Sequence, residues 1–413
     1  MNASKPSTRP TWLSLHGPFA GLALALSLSP AGAADLTART AVLGTIAHPN
    51  SGDLAADQDW PNADQQSLRL MLDDVTEIGD WSLHVKTRRL HSNGLPLDAT
   101  ATADRFRYRP LSQDWIDRGH PNDGTRVGYE LDRAVYRWRH DDLAFSVGRQ
   151  PIDWGAGRFW QPLNVFGAFT PTDLDTDFKP GIDAAVFDWY PGPLSALTLA
   201  YVLSPQDEST EDSVVLHYRR QLGNGMALAT LAGRVREANV IGASLEGDLG
   251  GMGWRVEATR HGAGEDRDDY LFWVAGVDYQ LDDGTLLIAE WYDNGAGAGQ
   301  TDTLPGLTAA DGVTPGLVPH LGRQVLGVGA EKDLTPLLRG SYTLLASPLR
   351  TDQGDRQSSL LHQLNLTWSL SNESDLLVSL LFASGRGLAD DGRPRSEFGH
   401  VPASLTVRWR HYF

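Results

Sequence analysis

Between Pro151 and Pro180 the chain sets Asp153, Asp173, Asp175 and Asp177 with Arg158 and Lys179, among the aromatic side chains Trp154, Phe159, Trp160, Phe166 and Phe169. Fixed carboxylates facing fixed cations across a narrow opening make a transverse field that orders water and selects solutes by charge. Asp173-x-Asp175-x-Asp177 begins like a calcium loop, but the glycine and the distant glutamate of an EF-hand are missing, and no metal is expected. A solvated loop is polar, whereas this one carries bulky aromatics on a frame of Gly and Pro and must bury itself. Its residues Asp153, Trp154, Arg158, Phe159, Trp160, Asp173, Asp175, Asp177 and Lys179 are candidates to line a constriction. The alternative is a lid, or a contact with a neighbouring subunit.

Other chemistry finds little support. The 12 histidines are scattered, with no HExxH or other ligand spacing. The absence of cysteine excludes a disulfide scaffold, a haem attachment motif and a thiol nucleophile. Gly155-x-Gly157 lacks the strand and helix that turn such glycines into a phosphate cradle. A lipid-acting hydrolase would need a lipid-facing Ser and His; His362 and His411 fall near strand ends, but no serine can be assigned to either. No catalytic residue and no cofactor are expected. A net charge of −17 argues against nucleic acid as a partner.

The elements that must carry the segment read as β-strands throughout. Lys5 and Arg9 precede the apolar run Ala20 to Leu28 and the small residues Ala31-Gly32-Ala33-Ala34, so residues 1–33 read as a secretory signal peptide and 34–413 as one domain. In that domain Leu68, Leu70 and Leu72 alternate with Arg69 and Asp73, and Leu364, Leu366 and Trp368 alternate with Gln363, Asn365 and Thr367. The polar face is hydrophilic enough to meet a wet lumen rather than a dry core.

Such segments number about 18, with 16 as the alternative. They start near Leu36, Gln66, Gly79, Thr125, Asp141, Gly181, Ser195, Asp212, Gly225, Ala238, Met252, Tyr270, Gly284, Leu321, Pro336, Ser358, Glu373 and Pro402. Short Gly, Asn or Asp joints such as Leu222-Gly223-Asn224-Gly225 and Asp282-Asp283-Gly284 fall at one parity. Long joints, His48 to Asp64, His91 to Gly124, Pro151 to Pro180, Asn294 to His320 and Gly385 to Gly399, fall at the other. The fold class expected is all-β: a transmembrane antiparallel up-and-down β-barrel with short periplasmic turns and long extracellular loops. Trp81, Trp138, Trp189, Tyr218, Trp254, Tyr279, Trp368, Trp409 and Tyr412 lie near the short turns or the C-terminus, where an interfacial girdle belongs.

The terminal strand alternates Leu405, Val407, Trp409, His411 and Phe413 with Thr406, Arg408, Arg410 and Tyr412. It resembles the C-terminal insertion signal of Gram-negative outer-membrane barrels, with Trp409, His411 and Phe413 as its carriers; His411 departs from the usual apolar or aromatic residue. Gly148-Arg149-Gln150, with the stretch that follows from Pro151 through Pro162, Phe166, Phe169 and Asp173 to Pro180-Gly181, resembles a stretch found in porin-like outer-membrane barrels of unassigned substrate. In general porins the third loop folds into the barrel and narrows it, and the resemblance implies the same for Pro151 to Pro180.

Strand parity places Arg69, Lys86, Arg88, Arg219, Arg234, Arg236, Arg255, Arg408 and Arg410 on the lumen wall, against fewer acids such as Asp73, Glu246, Asp248 and Glu257. Thr125 to Arg139 does not resolve, because Glu130 and Asp132 share a parity with Tyr136 and Trp138 while Arg133 and Arg137 share the other with Leu131 and Val135. The resulting expectation is an outer-membrane channel for passive, selective diffusion of small hydrophilic solutes, anions by preference. Rival readings are an export conduit working with a periplasmic partner and a lipid-acting barrel enzyme. The partners expected are outer-membrane lipid and lipopolysaccharide, the barrel-assembly machinery, the solutes themselves and further copies in a homotrimer.

Overall fold

The computed structural model describes residues 34–54, 57, 59–77, 79–95, 102–109, 112–113, 124–263, 268–305 and 319–413. The signal-peptide reading of residues 1–33 lies outside them. Eighteen strands run antiparallel, each bonded to its neighbours in chain order. They are β1 (Asp35–His48), β2 (Asn62–Val75), β3 (Gly79–Asn93), β4 (Thr125–His140), β5 (Leu143–Gln150), β6 (Ile182–Gly192), β7 (Ser195–Val202), β8 (Ser213–Gln221) and β9 (Ala227–Val235). The series continues with β10 (Ala238–Leu249), β11 (Met252–His261), β12 (Tyr270–Gln280), β13 (Leu286–Asn294), β14 (Gln324–Thr335), β15 (Leu338–Ser347), β16 (Ser359–Ser369), β17 (Ser374–Ser384) and β18 (Ala403–Tyr412). β1 pairs with β18 from Arg39 opposite Tyr412 to His48 opposite Ala403, so the sheet closes and leaves no edge. Among the described residues no helix is long and apolar enough to cross a membrane.

Alternation decides which way each side chain points. On β16, Leu364, Leu366 and Trp368 are exposed outward while Gln363 is buried inward. Trp138, Trp189, Tyr279, Trp368 and Trp409 are exposed on the outer surface near the short-turn rim, as a girdle requires. Tyr412 departs from that expectation. It shares the inward face with Arg410 and donates its hydroxyl to Asp177 at 2.5 Å, so it belongs to the lumen. Short turns use left-handed backbone where two residues must reverse the chain; Gly250 and Gly251, at φ 64° and 87°, join β10 to β11.

The unresolved face of β4 has a specific cause. His84 pairs with Arg133 and Val85 pairs with Leu131, so Asp132 is the extra residue of a β-bulge. Above the bulge Tyr129 is exposed outward; below it Tyr136 and Trp138 are, and Asp132 and Arg133 both stay on the inner side. A single alternation cannot describe a strand that changes phase.

The wall is not of even height. β4 has 16 residues but β5 only 8, and Arg149, near the upper end of β5, stands opposite Ala134 of β4. Above that level, among the described residues, β4 forms ladder pairs with β3 and with the two-residue strand Ser112–Gln113. The gap is filled by residues 102–109, where Arg107 donates to the Gly181 carbonyl at 2.7 Å and to Glu130 at 2.5 Å. The segment between β5 and β6 therefore leaves the wall low down and faces the lumen at once.

Candidate functional site

Residues 151–181 follow the inner wall of the barrel. The Ala156 and Leu163 amides donate to the two oxygens of Glu257 on β11, at 2.6 and 2.5 Å. Those of Arg158, Phe159 and Trp160 donate to Glu290 on β13, at 2.6, 2.7 and 3.4 Å. Further on, the Thr172 carbonyl accepts from Gln363 of β16 at 3.1 Å, and the Leu174 carbonyl accepts from Arg408 of β18. Asp175 then meets Arg39 of β1 at 2.6 Å, and Asp177 meets Arg410 and Tyr412. Phe178 lies under Arg69 of β2, 4.3 Å from ring centroid to guanidinium carbon. The ends of the loop are clasped by Lys179, whose ammonium reaches Asp153 at 2.7 Å and Asn164 at 2.6 Å. Burial lowers the Lys179 ammonium to a pKa of about 8, with Asp153 opposing the shift.

Glu257 and Glu290 are 0% and 1% exposed. An amide buried without an acceptor costs about 1–3 kcal/mol, and a carboxylate accepts from several amides at once. Two wall glutamates thus satisfy five amides of a segment that has no secondary structure of its own to do so.

The aromatic residues settle where the loop rests. Phe166, Leu163 and Ile152 pack with Ile182, Val202, Val215 and Val240 of the wall and with Phe106 of residues 102–109. Trp160, on the other flank, packs with Phe272, Tyr292, Val325 and Leu345. The expectation of a hydrophilic lumen face is corrected here: the inner wall is apolar where the loop covers it, since apolar burial holds the loop down. Where the wall is uncovered it carries charge.

Of the candidate constriction residues, Asp153, Arg158 and Asp173 stand exposed toward the open lumen. Arg158 lies 3.6 Å from Asp278 on β12, between the strands that carry Glu257 and Glu290, and Asp173 closes a turn with Thr170. Asp175 and Asp177 are spent on arginines. The Tyr412 hydroxyl, Arg410 and Arg39 hold the Asp177 carboxyl below the usual carboxylate range, although burial pushes it the other way. Trp160 is buried against the wall and does not line an opening; Phe159 turns the same way, and Trp154 stacks on His217 of β8 with centroids 4.7 Å apart. Below Trp154 a cavity of about 700 Å³ opens, lined by Gln150, Arg137, Asp188, Arg219 and Glu246.

The wall candidates divide. Arg69 is buried on the inner face and bonds Asp132 at 2.7 Å; Lys86 and Arg88 share the inner face of β3; Arg219 lines the cavity. Arg255 bridges Asp278 and lies 3.6 Å from Glu290, while Arg408 and Arg410 meet Asp375. Two expectations are corrected. Arg234 stands opposite outward-facing Val214 and pairs with exposed Glu211, so it looks out of the barrel. Arg236 sits in the turn after β9 at φ 54° and bonds the Arg105 carbonyl and Glu208, a rim contact and not a wall position. Trp409, His411 and Phe413 share the outer face of β18 and its end and stack in series. His362, also outward, bonds the Tyr342 hydroxyl at 2.7 Å and stacks on Phe382. Among the described residues no group of His, Asp or Glu is arranged to hold a metal.

Glu290 and the glycines of β14 escaped the sequence reading. A signal was present, because Gly327-x-Gly329 within an otherwise regular strand marks a close approach by another group. A Cβ on Gly327 would stand 2.7 Å from Phe159 and 2.9 Å from Trp160, and one on Gly329 would stand 2.9 Å from Phe159. Gly327→Leu is therefore expected to displace Phe159 and raise amide hydrogen exchange across residues 156–163 about tenfold, while the barrel keeps its heat-modifiable migration. Unchanged exchange would show that these glycines do not seat the loop.

No protein-family model matches the chain, and no curated protein matches its sequence. Solved structures do match its fold. OccAB4 of Acinetobacter baumannii superposes with a TM-score of 0.59 at 8% identity, over 93% of this chain and 100% of that one. The outer membrane protein opdK of Pseudomonas aeruginosa does so with a TM-score of 0.56 at 12% identity, over 92% and 98%. OccK3 (OpdO) of Pseudomonas aeruginosa gives 0.54 at 11%, over 92% and 96%. At identities this low the likeness shows the fold alone, a closed antiparallel β-barrel.

Proposed function

We propose that this chain is a channel of the Gram-negative outer membrane that lets small hydrophilic solutes diffuse passively and selectively, with anions preferred. The observation that carries the reading is the loop of residues 151–181, held inside a closed barrel with Asp153, Arg158 and Asp173 exposed to the lumen. An 18-strand barrel is wide enough to keep an aqueous passage, and a loop across it sets how much remains. Arg39 and Arg410, on the wall of β1 and β18, hold Asp175 and Asp177 of the loop, while Arg69 on β2 is paired with Asp132 and Arg408 with the Leu174 carbonyl and Asp375. Arg158, exposed on the loop, and Arg137 and Arg219, which line the cavity below Trp154, offer guanidinium contacts to solutes that give up hydration.

In this reading the short turns face the periplasm and lipid and lipopolysaccharide surround the apolar belt. Trp409, His411 and Phe413 serve recognition by the assembly machinery, and a homotrimer is the assembly carried forward from the sequence. Structural neighbours that are outer-membrane proteins support the location, and no lipase-like Ser and His pair is assembled at the rim among the described residues.

Purified protein in a planar bilayer tests the function. Steady single-channel current is expected, with a reversal potential in a salt gradient that shows anion preference. Absence of steady current would refute the channel, and reversal toward cations would remove the anion preference.

A further inference from the structure

Trp160 is tied to more than the wall. Its indole nitrogen donates to Nε2 of His320 at 2.9 Å, and Nδ1 of His320 lies 3.1 Å from Glu397. Glu397 also accepts the Leu321 amide at 3.1 Å and the Gly322 amide at 2.6 Å. One chain of hydrogen bonds thus joins three separate loops: 151–181, the segment before β14 and the segment before β18. All three side chains are buried.

An indole nitrogen can only donate. Nε2 of His320 must therefore offer a lone pair, which fixes the neutral tautomer with its proton on Nδ1, donated to Glu397. A second proton would go to Nε2 and set one N–H against another. The imidazolium keeps Glu397 as its partner, now as an ion pair, and loses Trp160.

The charged and titratable groups around His320 allow that outcome. Glu397 and His400 face it from the segment before β18, Tyr292 packs on it from β13 with centroids 5.0 Å apart, and Trp160 faces it from the lumen loop, with the uncharged Thr170, Pro171 and Thr172 around the same hollow. Glu290 touches the same tryptophan through its backbone amide, and Asp293 is engaged by Arg323 and Gln324. Burial holds the His400 imidazole below its ordinary range, although Glu397 and Asp53 oppose the shift.

We propose that His320 is a proton-operated latch: acidification of the external medium releases Trp160, and with it the middle of the lumen loop, while the two outer loops stay joined through Glu397. The latch rests on this geometry, and only its effect on solute flow rests on the channel reading.

Hydrogen exchange on the full chain in detergent tests it, with rates at pH 7.5 and 5.0 corrected for intrinsic chemistry. Protection across residues 158–164 is expected to fall about tenfold at pH 5.0, the change that follows from losing one buried hydrogen bond. H320Q supplies an amide oxygen that accepts from Trp160 without titrating, and should show equal protection at both values. W160F at pH 7.5 should match the wild type at pH 5.0. Wild-type protection that ignores pH overturns the latch, as does a pH step that survives in H320Q or disappears in E290Q instead. A step seen in protein that carries no current would leave the latch standing and remove the channel.

Discussion

Excision of Trp154 to Phe169, with a short Gly-Ser bridge in its place, is expected to raise single-channel conductance about threefold or more, because an 18-strand barrel stripped of its inner loop presents a far wider aqueous section. The closed ladder from β1 to β18 does not depend on the excised segment, so the folded, heat-modifiable form should persist. Its thermal stability should not. Val202, Val215, Leu231 and Val240, now 0–2% exposed, would meet lumen water, and each such side chain laid bare costs about 1.5–3 kcal/mol. The combined signature is a wider channel that unfolds at lower temperature. Unchanged conductance in a folded variant would place the loop away from the conducting path.

The double variant Glu257→Ala, Glu290→Ala reaches the same loop without shortening it. It removes the acceptors of five amides, those of Ala156, Leu163, Arg158, Phe159 and Trp160. Lumen water would satisfy those amides only if the loop lifts from the wall, and leaving them dry costs about 1–3 kcal/mol each. The wall itself loses two buried carboxylates, whose desolvation is costly, so the barrel should fold no worse than before. Proteolytic cleavage within 155–163 is expected to speed up by tenfold or more, with current fluctuations that the wild type lacks. The Gln variants keep one acceptor oxygen at each position and should fall between. Equal cleavage rates in wild type and double variant would mean that packing alone holds the loop.

The strands could be read from the chain because each obeys a local rule. The expected starts fall within four residues of the observed ones, the widest gap being Gln66 against Asn62. Lipid on one side and water on the other impose a period of two, and turn residues mark its ends. Where a second rule intervened the reading failed. Asp132 adds a residue that β3 does not match, and the phase of β4 slips. Arg234 was assigned inward although its strand turns Leu231 and Val235 to the lumen. Tyr412 looked like a girdle residue, but the loop had placed Asp177 within reach of its hydroxyl.

The site itself was legible in part. Asp153, Arg158 and Asp173 stand out in a loop too aromatic for open water, and they are exposed in the fold. Glu290 was not, because a glutamate on a polar strand face looks the same whether it meets water or the amides of residues some 130 positions earlier in the chain. His320 and Glu397 were invisible for the same reason.

By itself the sequence determined the closed barrel, a strand number of about 18 with 16 left open, and the parity of its short and long joints, since each follows from forces acting within a few residues. Only the tertiary structure decided what the third loop touches: two buried glutamates, a niche over Gly327 and Gly329, and a histidine shared with two other loops. Those contacts join residues 77 or more positions apart, and no periodicity along the chain records which amide a distant carboxylate will meet.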